Sequence, residues 1–351
     1  MVEQATRQDL QRALLHTQET YDLPGLALAV AYGREPSRTL VVGTDEKGVP
    51  LTQESLFPIA SITKLATALA ILRLADQGLL AIGDRLDQFV PTAAAARAGV
   101  TIQQLLTHTA GLPGFSPAAW TYDLNLTWQI QRQACLTIAP TSPGDRVAYS
   151  NVGYGLLAMV VEQLTDRPFR DALSALVIEP LGIAAYLGSE PPRAPIHLTD
   201  SADDQAGTPL AAWNSPFWRT LGEPWGGMVT TPVGTLALLR AYQGLPTGFL
   251  RPVTVQMATQ DRTGGLGGGF RWQTWDHCPW GLGPWIIGAG MQHFAFAHAT
   301  PRTLCHTGYS GCAVYYDPTV DVAWGIHGTI SAADERILQA YAMLSAAVLG
   351  A

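Results

Sequence analysis

The sequence predicts an α+β protein: an antiparallel sheet flanked by N- and C-terminal helices, with a mostly helical domain inserted between the strands. Two observations carry this. Periodic segments run in the order helix, strands, a long helical block, strands, helix, which places sheet-forming runs at both ends of the chain. The composition, 47% hydrophobic and 14% charged over 351 residues, is that of a packed globular chain large enough for two domains. The expected division is a sheet domain of residues 1–60 plus 246–351 and a helical domain of residues 61–245, with the active site where they meet.

Taken in order, Thr6-x-x-Asp9 reads as a capping box, and Leu10, Ala13, Leu14 and Thr17 follow at helical spacing. Pro24-Gly25 breaks that helix. The apolar runs 26–32 and 39–42 read as paired strands. From Ser61, residues Ile62, Leu65, Ala66, Leu69, Leu72 and Ala75 form one helical face that ends at Gly78, a C-terminal cap. Helices dominate to about residue 245, and Thr231-Pro232 suits the N-cap and first position of one of them. Residues 183–224 are Pro-rich and polar and read as surface loops. Residues 264–290 hold nine glycines and four of the ten tryptophans, a composition of ordered, irregular structure. They line a substrate pocket or pack beneath the sheet, two readings of equal weight. Strands return at 302–307, 313–316 and 320–326. A last amphipathic helix opens at Ser331-x-x-Asp334, with Ile337, Leu338, Tyr341, Leu344 and Val348 on one face.

The formal net charge of −7 is spread along the chain without a basic run, which disfavours nucleic acid and anionic membranes as partners. The opening dozen residues lack the basic and apolar regions of a signal peptide, and no apolar stretch approaches the ~20 residues a bilayer requires. The expected location is cytoplasmic, the alternative being a leader already removed. Cys135, Cys278, Cys305 and Cys312 lack metal-type spacing and read as reduced, structural thiols, although Cys305 and Cys312 could face each other across a hairpin. No metal and no cofactor is expected; His293 and His298, five apart, match no zinc pattern.

Of 21 basic residues only two are lysines, at 47 and 64. Arginine cannot release its proton in a protein, whereas a desolvated lysine can. In Ser61-Ile-Thr-Lys64 the i, i+3 spacing brings the lysine amine to the serine hydroxyl on one helix face. A hydroxyl becomes a useful nucleophile when a nearby base takes its proton. Alone this pattern is weak, since many helices open with Ser and carry a solvated Lys three residues on. Two further motifs strengthen it: Tyr149-Ser-Asn151 in a loop before a helix, and His306-Thr-Gly308 at the end of a strand.

Together with Phe57–Lys64, Leu105–Leu112, Tyr149–Leu157, Glu179–Gly182 and Trp225–Pro232, these motifs make the chain resemble the serine β-lactamase and penicillin-binding-protein superfamily over roughly residues 10–345. The likeness is to class C β-lactamases and to the related esterases and D-amino-acid peptidases. It implies a β-lactamase/transpeptidase-like fold and a serine hydrolase acting through an acyl-enzyme on a small ester, amide or peptide. Ser61 would attack the carbonyl while Lys64 and Tyr149 move its proton, either being the formal base. Asn151 would bind the substrate amide and help fix Lys64. His306, Thr307 and Gly308 would contact substrate, and the amides of Ser61 and Tyr309 would form the oxyanion hole. Deacylation would use water activated near Tyr149, no separate Glu base being evident.

The chain departs from the pattern at His306, where a lysine often holds a substrate carboxylate. An imidazole of ordinary pKa is mostly neutral at pH 7, which favours esters or short amides over β-lactams. Esterase-like activity is therefore the first expectation. A β-lactamase or D-stereospecific peptidase is the alternative in the same chemistry, and a catalytically silent binding protein the alternative outside it. His108 is read as a turn-tying residue.

Overall fold

The computed structural model describes residues 5–115, 123–270, 273–288 and 299–350. Its strands are β1 (Gly25–Tyr32), β2 (Arg38–Gly43), β3 (Phe57–Pro58), β4 (Val147–Ala148), β5 (Ala185–Leu187), β6 (Met228–Thr230), β7 (Gly268–Phe270), β8 (Gln273–Trp275), β9 (Trp285–Ile286), β10 (Leu304–Gly308), β11 (Cys312–Asp317) and β12 (Val322–Gly328). Six of them form an antiparallel sheet in the order β2-β1-β12-β11-β10-β9. The first and last segments of the chain thus pair at its centre, with Leu28 opposite Ile326.

Both faces of this sheet are covered, which is why β1 reads as an unbroken apolar run instead of an alternating one. Leu26, Leu28 and Val30 face a core shared with Leu10 and Leu14 of helix α1 (Arg7–Thr20) and with Ile337, Tyr341, Leu344 and Val348 of the final helix (Glu335–Leu349). Ala27, Ala29 and Ala31 face the other core, where their small side chains leave room for the helix Pro232–Arg240 against β1, β11 and β12. Thr6 and Asp9 form the expected capping box on α1, and Thr231 caps Pro232–Arg240 through Gly234 N.

The central helix of the second core is α2 (Thr63–Asp76), apolar around nearly its whole circumference, as a fully surrounded helix must be. It packs on the helix Asn151–Thr165, which Ser150 caps by accepting from Gly153 N at 3.1 Å. The block between the strands is not purely helical. β3, β6 and β5 form a small sheet, and β4 pairs in parallel with β7.

Two expectations need correction. The final helix starts at Glu335, capped by Asp334 alone, because Ile330 and Ser331 are taken up by backbone bonding to Thr199. Cys305 and Cys312 do not face each other. Their partners in the β10–β11 ladder are Tyr315 and Gly308, and they contribute to cores on opposite faces of the sheet. All four cysteines are free and buried. His293 and His298 lie outside the described residues; among those described, no cluster of three His, Cys, Asp or Glu side chains is arranged to hold a metal, and no helix is long and apolar enough to cross a membrane.

Candidate active site

Ser61 sits in a 3-10 turn, Ala60–Ile62, that leads from β3 into α2. Ala60 before it has φ +44°, a left-handed conformation that a non-glycine residue adopts at some cost and that recurs at functional sites. The i, i+3 geometry is realised: Lys64 Nζ donates to Ser61 Oγ at 3.1 Å. Nζ also donates to the carbonyl of Trp225 at 2.8 Å and lies 4.8 Å from the centroid of the Tyr149 ring. Lys64 is wholly buried, and burial drives its pKa well below the usual lysine value, against the opposing field of Glu223.

The Trp225 carbonyl is held in place by its flanks. Thr67 Oγ1 donates to Pro224 O at 2.5 Å, and Thr63 Oγ1 accepts from Met228 N at 3.1 Å, so the first turns of α2 grip the 224–228 segment on both sides of Trp225. Glu223, just upstream, is buried and accepts from Gln131 Nε2 at 2.9 Å. The holding of Lys64 assigned to Asn151 falls instead to this carbonyl. Asn151 stands at the start of its helix with Oδ1 buried and without a hydrogen-bond partner.

Tyr149 lines the same cavity as Ser61, and burial raises its pKa above the ordinary phenol value, an effect that its interaction with the Ser61 side chain opposes. Its backbone N–H donates to Gly269 O at 3.0 Å, beside the β4–β7 pairing. Glycine is required there: a Cβ on Gly268, at φ +132°, would lie 2.0 Å from Val147 O. His108 secures the same loop from the other side. Its carbonyl accepts from Ala148 N at 2.8 Å and its Nδ1 accepts from Ser150 N at 3.0 Å, with its ring centroid 4.5 Å from that of Tyr149.

His306, Thr307 and Gly308 run along β10 into the site. Gly308 is pressed on the Ile59–Ser61 turn, where an added Cβ would come 2.3 Å from Ile59 O. This approach brings the backbone of residues 308–309 beside that of Ser61. A displacement of about 1 Å in such a site costs on the order of a hundredfold in rate. Gly308→Ala is therefore expected to lower kcat/KM by about that factor and to lower the melting temperature, measured on the same preparation. Wild-type values of both would disprove the contact. His306 Nδ1 donates to Thr307 O at 2.9 Å, so the neutral ring presents Nε2 as an acceptor, buried and without a partner. Burial, with the nearby Lys64, lowers the His306 pKa to about 3.

Ser61, Tyr149, His306, Thr307, Gly308 and Tyr309 line one cavity of about 270 Å³; Lys64 and Asn151 do not. The rest of its lining is largely aromatic, with Phe270, Trp275, Trp280 and Trp285 of the Trp/Gly-rich stretch. Pocket lining and packing thus coincide there, since Trp280 is also fully buried and stacked 6.0 Å from Trp285. Leu338 and Tyr341 of the final helix complete the wall; in sequence they read only as a core-facing stripe. Trp225 and Glu223 were not legible as site residues either, the first acting through a main-chain atom and the second lying behind Lys64.

With this geometry in hand, similarity to known proteins becomes informative. Esterase EstB of Burkholderia gladioli is 30% identical over 258 residues, 62% of this chain and 64% of that protein. Penicillin-binding protein 4 of Amycolatopsis lactamdurans is 31% identical over 249 residues, 65% of this chain and 63% of that protein. The match therefore spans less than two thirds of either relative. Among solved structures, EstCE1, a hydrolase with promiscuous acyltransferase activity, superposes with a TM-score of 0.74 at 21% identity, covering 98% of this chain and 99% of that one. The D-amino acid amidase of Ochrobactrum anthropi SV3 does so with a TM-score of 0.75 at 20% identity, covering 97% of this chain and 99% of that one. These superpositions establish the β-lactamase/transpeptidase-like fold. The Beta-lactamase family model matches residues 7–348, and the chain belongs to that family.

Proposed function

We propose that the protein is a serine hydrolase that forms an acyl-enzyme on Ser61 and acts chiefly on esters, with short amides as slower substrates. The observation that carries this reading is the hydrogen bond from a fully buried lysine to the Ser61 side chain, in a cavity that Ser61 and the partly buried Tyr149 both line.

Burial favours the uncharged form of Lys64, and a neutral amine at 3.1 Å can take the serine proton as Oγ attacks a carbonyl. The Tyr149 hydroxyl, on the cavity that Ser61 lines, supplies the route by which that proton reaches the leaving alkoxide or amine. Negative charge that develops on the carbonyl oxygen is received by the amides of Ser61 and Tyr309, donors of a kind worth about 3–4 kcal/mol each to a transition state. Water entering after the alcohol departs passes its proton by way of Tyr149 to Lys64 as it attacks the acyl carbonyl, and that proton returns to Ser61 Oγ as the acyl–oxygen bond breaks and the acid leaves.

The preference for esters over β-lactams rests on His306. With a pKa of about 3 its ring is uncharged at neutral pH, and no lysine or arginine is among the described residues lining the cavity. The names of the relatives, an esterase and a penicillin-binding protein, support the reaction class without choosing between these substrates. The direct test is to incubate the protein with p-nitrophenyl esters of graded acyl length and with nitrocefin, and to map any covalent adduct by peptide mass spectrometry. Ester turnover, an adduct on Ser61 and little nitrocefin cleavage are expected. Rapid nitrocefin turnover would replace the esterase reading by a β-lactamase. Folded protein with neither turnover nor adduct would replace it by a silent binding protein.

A further inference from the structure

Glu223 is a buried carboxylate that does not line the cavity, yet it stands where its charge reaches Lys64. It is 6% exposed, and Gln131, itself 0% exposed on the helix Trp128–Thr137, donates to it from Nε2 at 2.9 Å. Its main-chain carbonyl accepts from Gly226 N at 3.2 Å and from Gly227 N at 2.9 Å, closing the turn that carries Trp225. A Cβ on Gly226 would stand 3.8 Å from Glu223 Oε2. The carboxylate therefore lies beside the Trp225–Gly226 peptide, whose carbonyl accepts from Lys64 Nζ at 2.8 Å.

A turn of this shape can present a main-chain carbonyl without an acid at 223, and an ionised carboxylate is costly to bury unless a cation or hydrogen-bond donors answer it. Lys64 supplies the cation. When Ser61 Oγ bonds to a carbonyl carbon, its proton passes to Lys64 Nζ. The new ammonium is then enclosed with a serine oxygen and one main-chain carbonyl as hydrogen-bond partners. The field of Glu223 favours that charged form, opposing burial. A general base works best when its pKa lies near the working pH, so an anion placed here keeps a deeply buried amine from becoming too weak a base.

We propose that Glu223 is a positioning residue for acylation: a fixed negative charge that stabilises the Lys64 ammonium while it holds the serine proton. The inference rests on the serine-hydrolase reading and adds a residue to that site. Among the described residues, the other titratable groups around the pair are neutral near pH 7. Tyr149 precedes the helix Asn151–Thr165, and Tyr154 lies on it with its ring centroid 5.8 Å from Nζ; burial raises the pKa of both phenols. Burial lowers that of His108, which follows the helix Ile102–Leu106, and of His306 on β10. It raises Cys135, on the helix of Gln131, to about 12, and the Glu223 charge adds to that rise. Arg132, next to Gln131, is paired with Glu162 at 3.1 Å.

The scarcity of lysine makes the test direct. With lysines only at 47 and 64, ¹³C-lysine labelling gives two sets of side-chain signals, and Lys47→Arg assigns them. Titrating the Cε signal then reads the Lys64 pKa in the folded protein, apart from any activity. Glu223→Gln, which keeps the shape and removes the charge, should lower that pKa by about one pH unit, the lower end of the effect of a nearby opposite charge. The acid limb of kcat/KM for p-nitrophenyl acetate should move to lower pH by the same amount, and its plateau should fall about threefold as the amine becomes a weaker base. Glu223→Asp retains the charge and so tests it even where the Gln variant does not fold; its Lys64 titration should stay within about 0.5 pH unit of wild type. An unchanged Lys64 titration in Glu223→Gln would overturn the assignment. So would a full-unit drop in Glu223→Asp, because packing and not charge would then act on Lys64. If the signal shifts as expected but no ester acylates Ser61, the pairing of Glu223 with Lys64 stands and the hydrolase reading falls. If Ser61 is acylated and the signal does not shift, only the role of Glu223 falls.

Discussion

Lys64→Met is expected to lower kcat/KM for any ester by about four orders of magnitude while leaving the melting temperature unchanged or higher. The rate effect follows from the site acting as a unit: removing one member of a nucleophile–base pair typically costs about 10⁴–10⁶. For the same reason the double variant with Ser61→Ala should be no slower than the slower single variant. The stability effect follows from burial. Lys64 is fully enclosed and held by one serine and one main-chain carbonyl. Folding at neutral pH therefore opposes the charge this side chain carries in the unfolded chain. Methionine has a similar unbranched reach and fills irregular space without a charge to desolvate. Against this stands the Trp225 carbonyl, which loses its donor at a cost of about 1–3 kcal/mol. The sign can be checked by pH. A base whose folded pKa is depressed destabilises the native state fully below that folded pKa, and the penalty fades as pH rises toward the unfolded value of 10.5. The advantage of Lys64→Met in urea should thus shrink from pH 7 toward pH 10. A variant retaining a tenth of wild-type kcat/KM, or rate losses that multiply in the double variant, would remove Lys64 from the proton path.

The parts of this site that were legible in sequence are those whose geometry is local. Ser61 and Lys64 are three residues apart on consecutive helical turns, and a spacing is enough to bring them together. Tyr149 and His306 were legible through the company their motifs keep, although nothing in composition says that β10 and the 147–151 loop converge. What escaped has a common physical character. The Trp225 carbonyl is a main-chain acceptor that any residue could supply, and only the grip of Thr63 and Thr67 on its flanks identifies it. Leu338 and Tyr341 obey a 3.6-residue period, and periodicity reports which face is buried without saying whether a cavity lies there. The Cys305–Cys312 hairpin failed on register, since a tight loop between Gly308 and Cys312 puts the two sulfurs on opposite faces. The fold itself was more accessible. A strand buried on both sides, such as β1, announces itself as a continuous apolar run, and terminal helices with one apolar face require a sheet to cover. At Ser331-x-x-Asp334 two side chains compete to cap one helix, and the winner was decided by a bridge to Thr199 that is distant in sequence.

Acid should begin to destabilise this protein before its carboxylates titrate. Among the described residues three histidines are deeply buried: His327 at 0%, His108 at 1% and His306 at 3% exposure. Burial is the main cause that lowers the pKa of each, to about 3 for His306 and His327 and well below 6.5 for His108, where Lys64 and His306 add to the effect. The native state therefore keeps all three neutral at pH values where the unfolded chain protonates them. Between pH 6.5 and about 3 the unfolded state binds up to three more protons, so stability falls as pH falls, with a slope approaching about 4 kcal/mol per pH unit. Set against a typical total of about 5–15 kcal/mol, that slope exhausts the fold within a few pH units. Urea midpoints at pH 7.5, 6.5, 5.5 and 4.5 should drop progressively, and His327→Leu should reduce the slope by about one proton. A flat midpoint from pH 7 to 5 would mean that these histidines are protonated or hydrated in the native state. The same linkage bears on kinetics. With His306 uncharged throughout the range in which the protein is folded, no histidine of the third motif contributes an ionisation to the rate. An acid limb in kcat/KM that is reversible and precedes unfolding then belongs to Lys64, and one that coincides with loss of circular dichroism belongs to the fold.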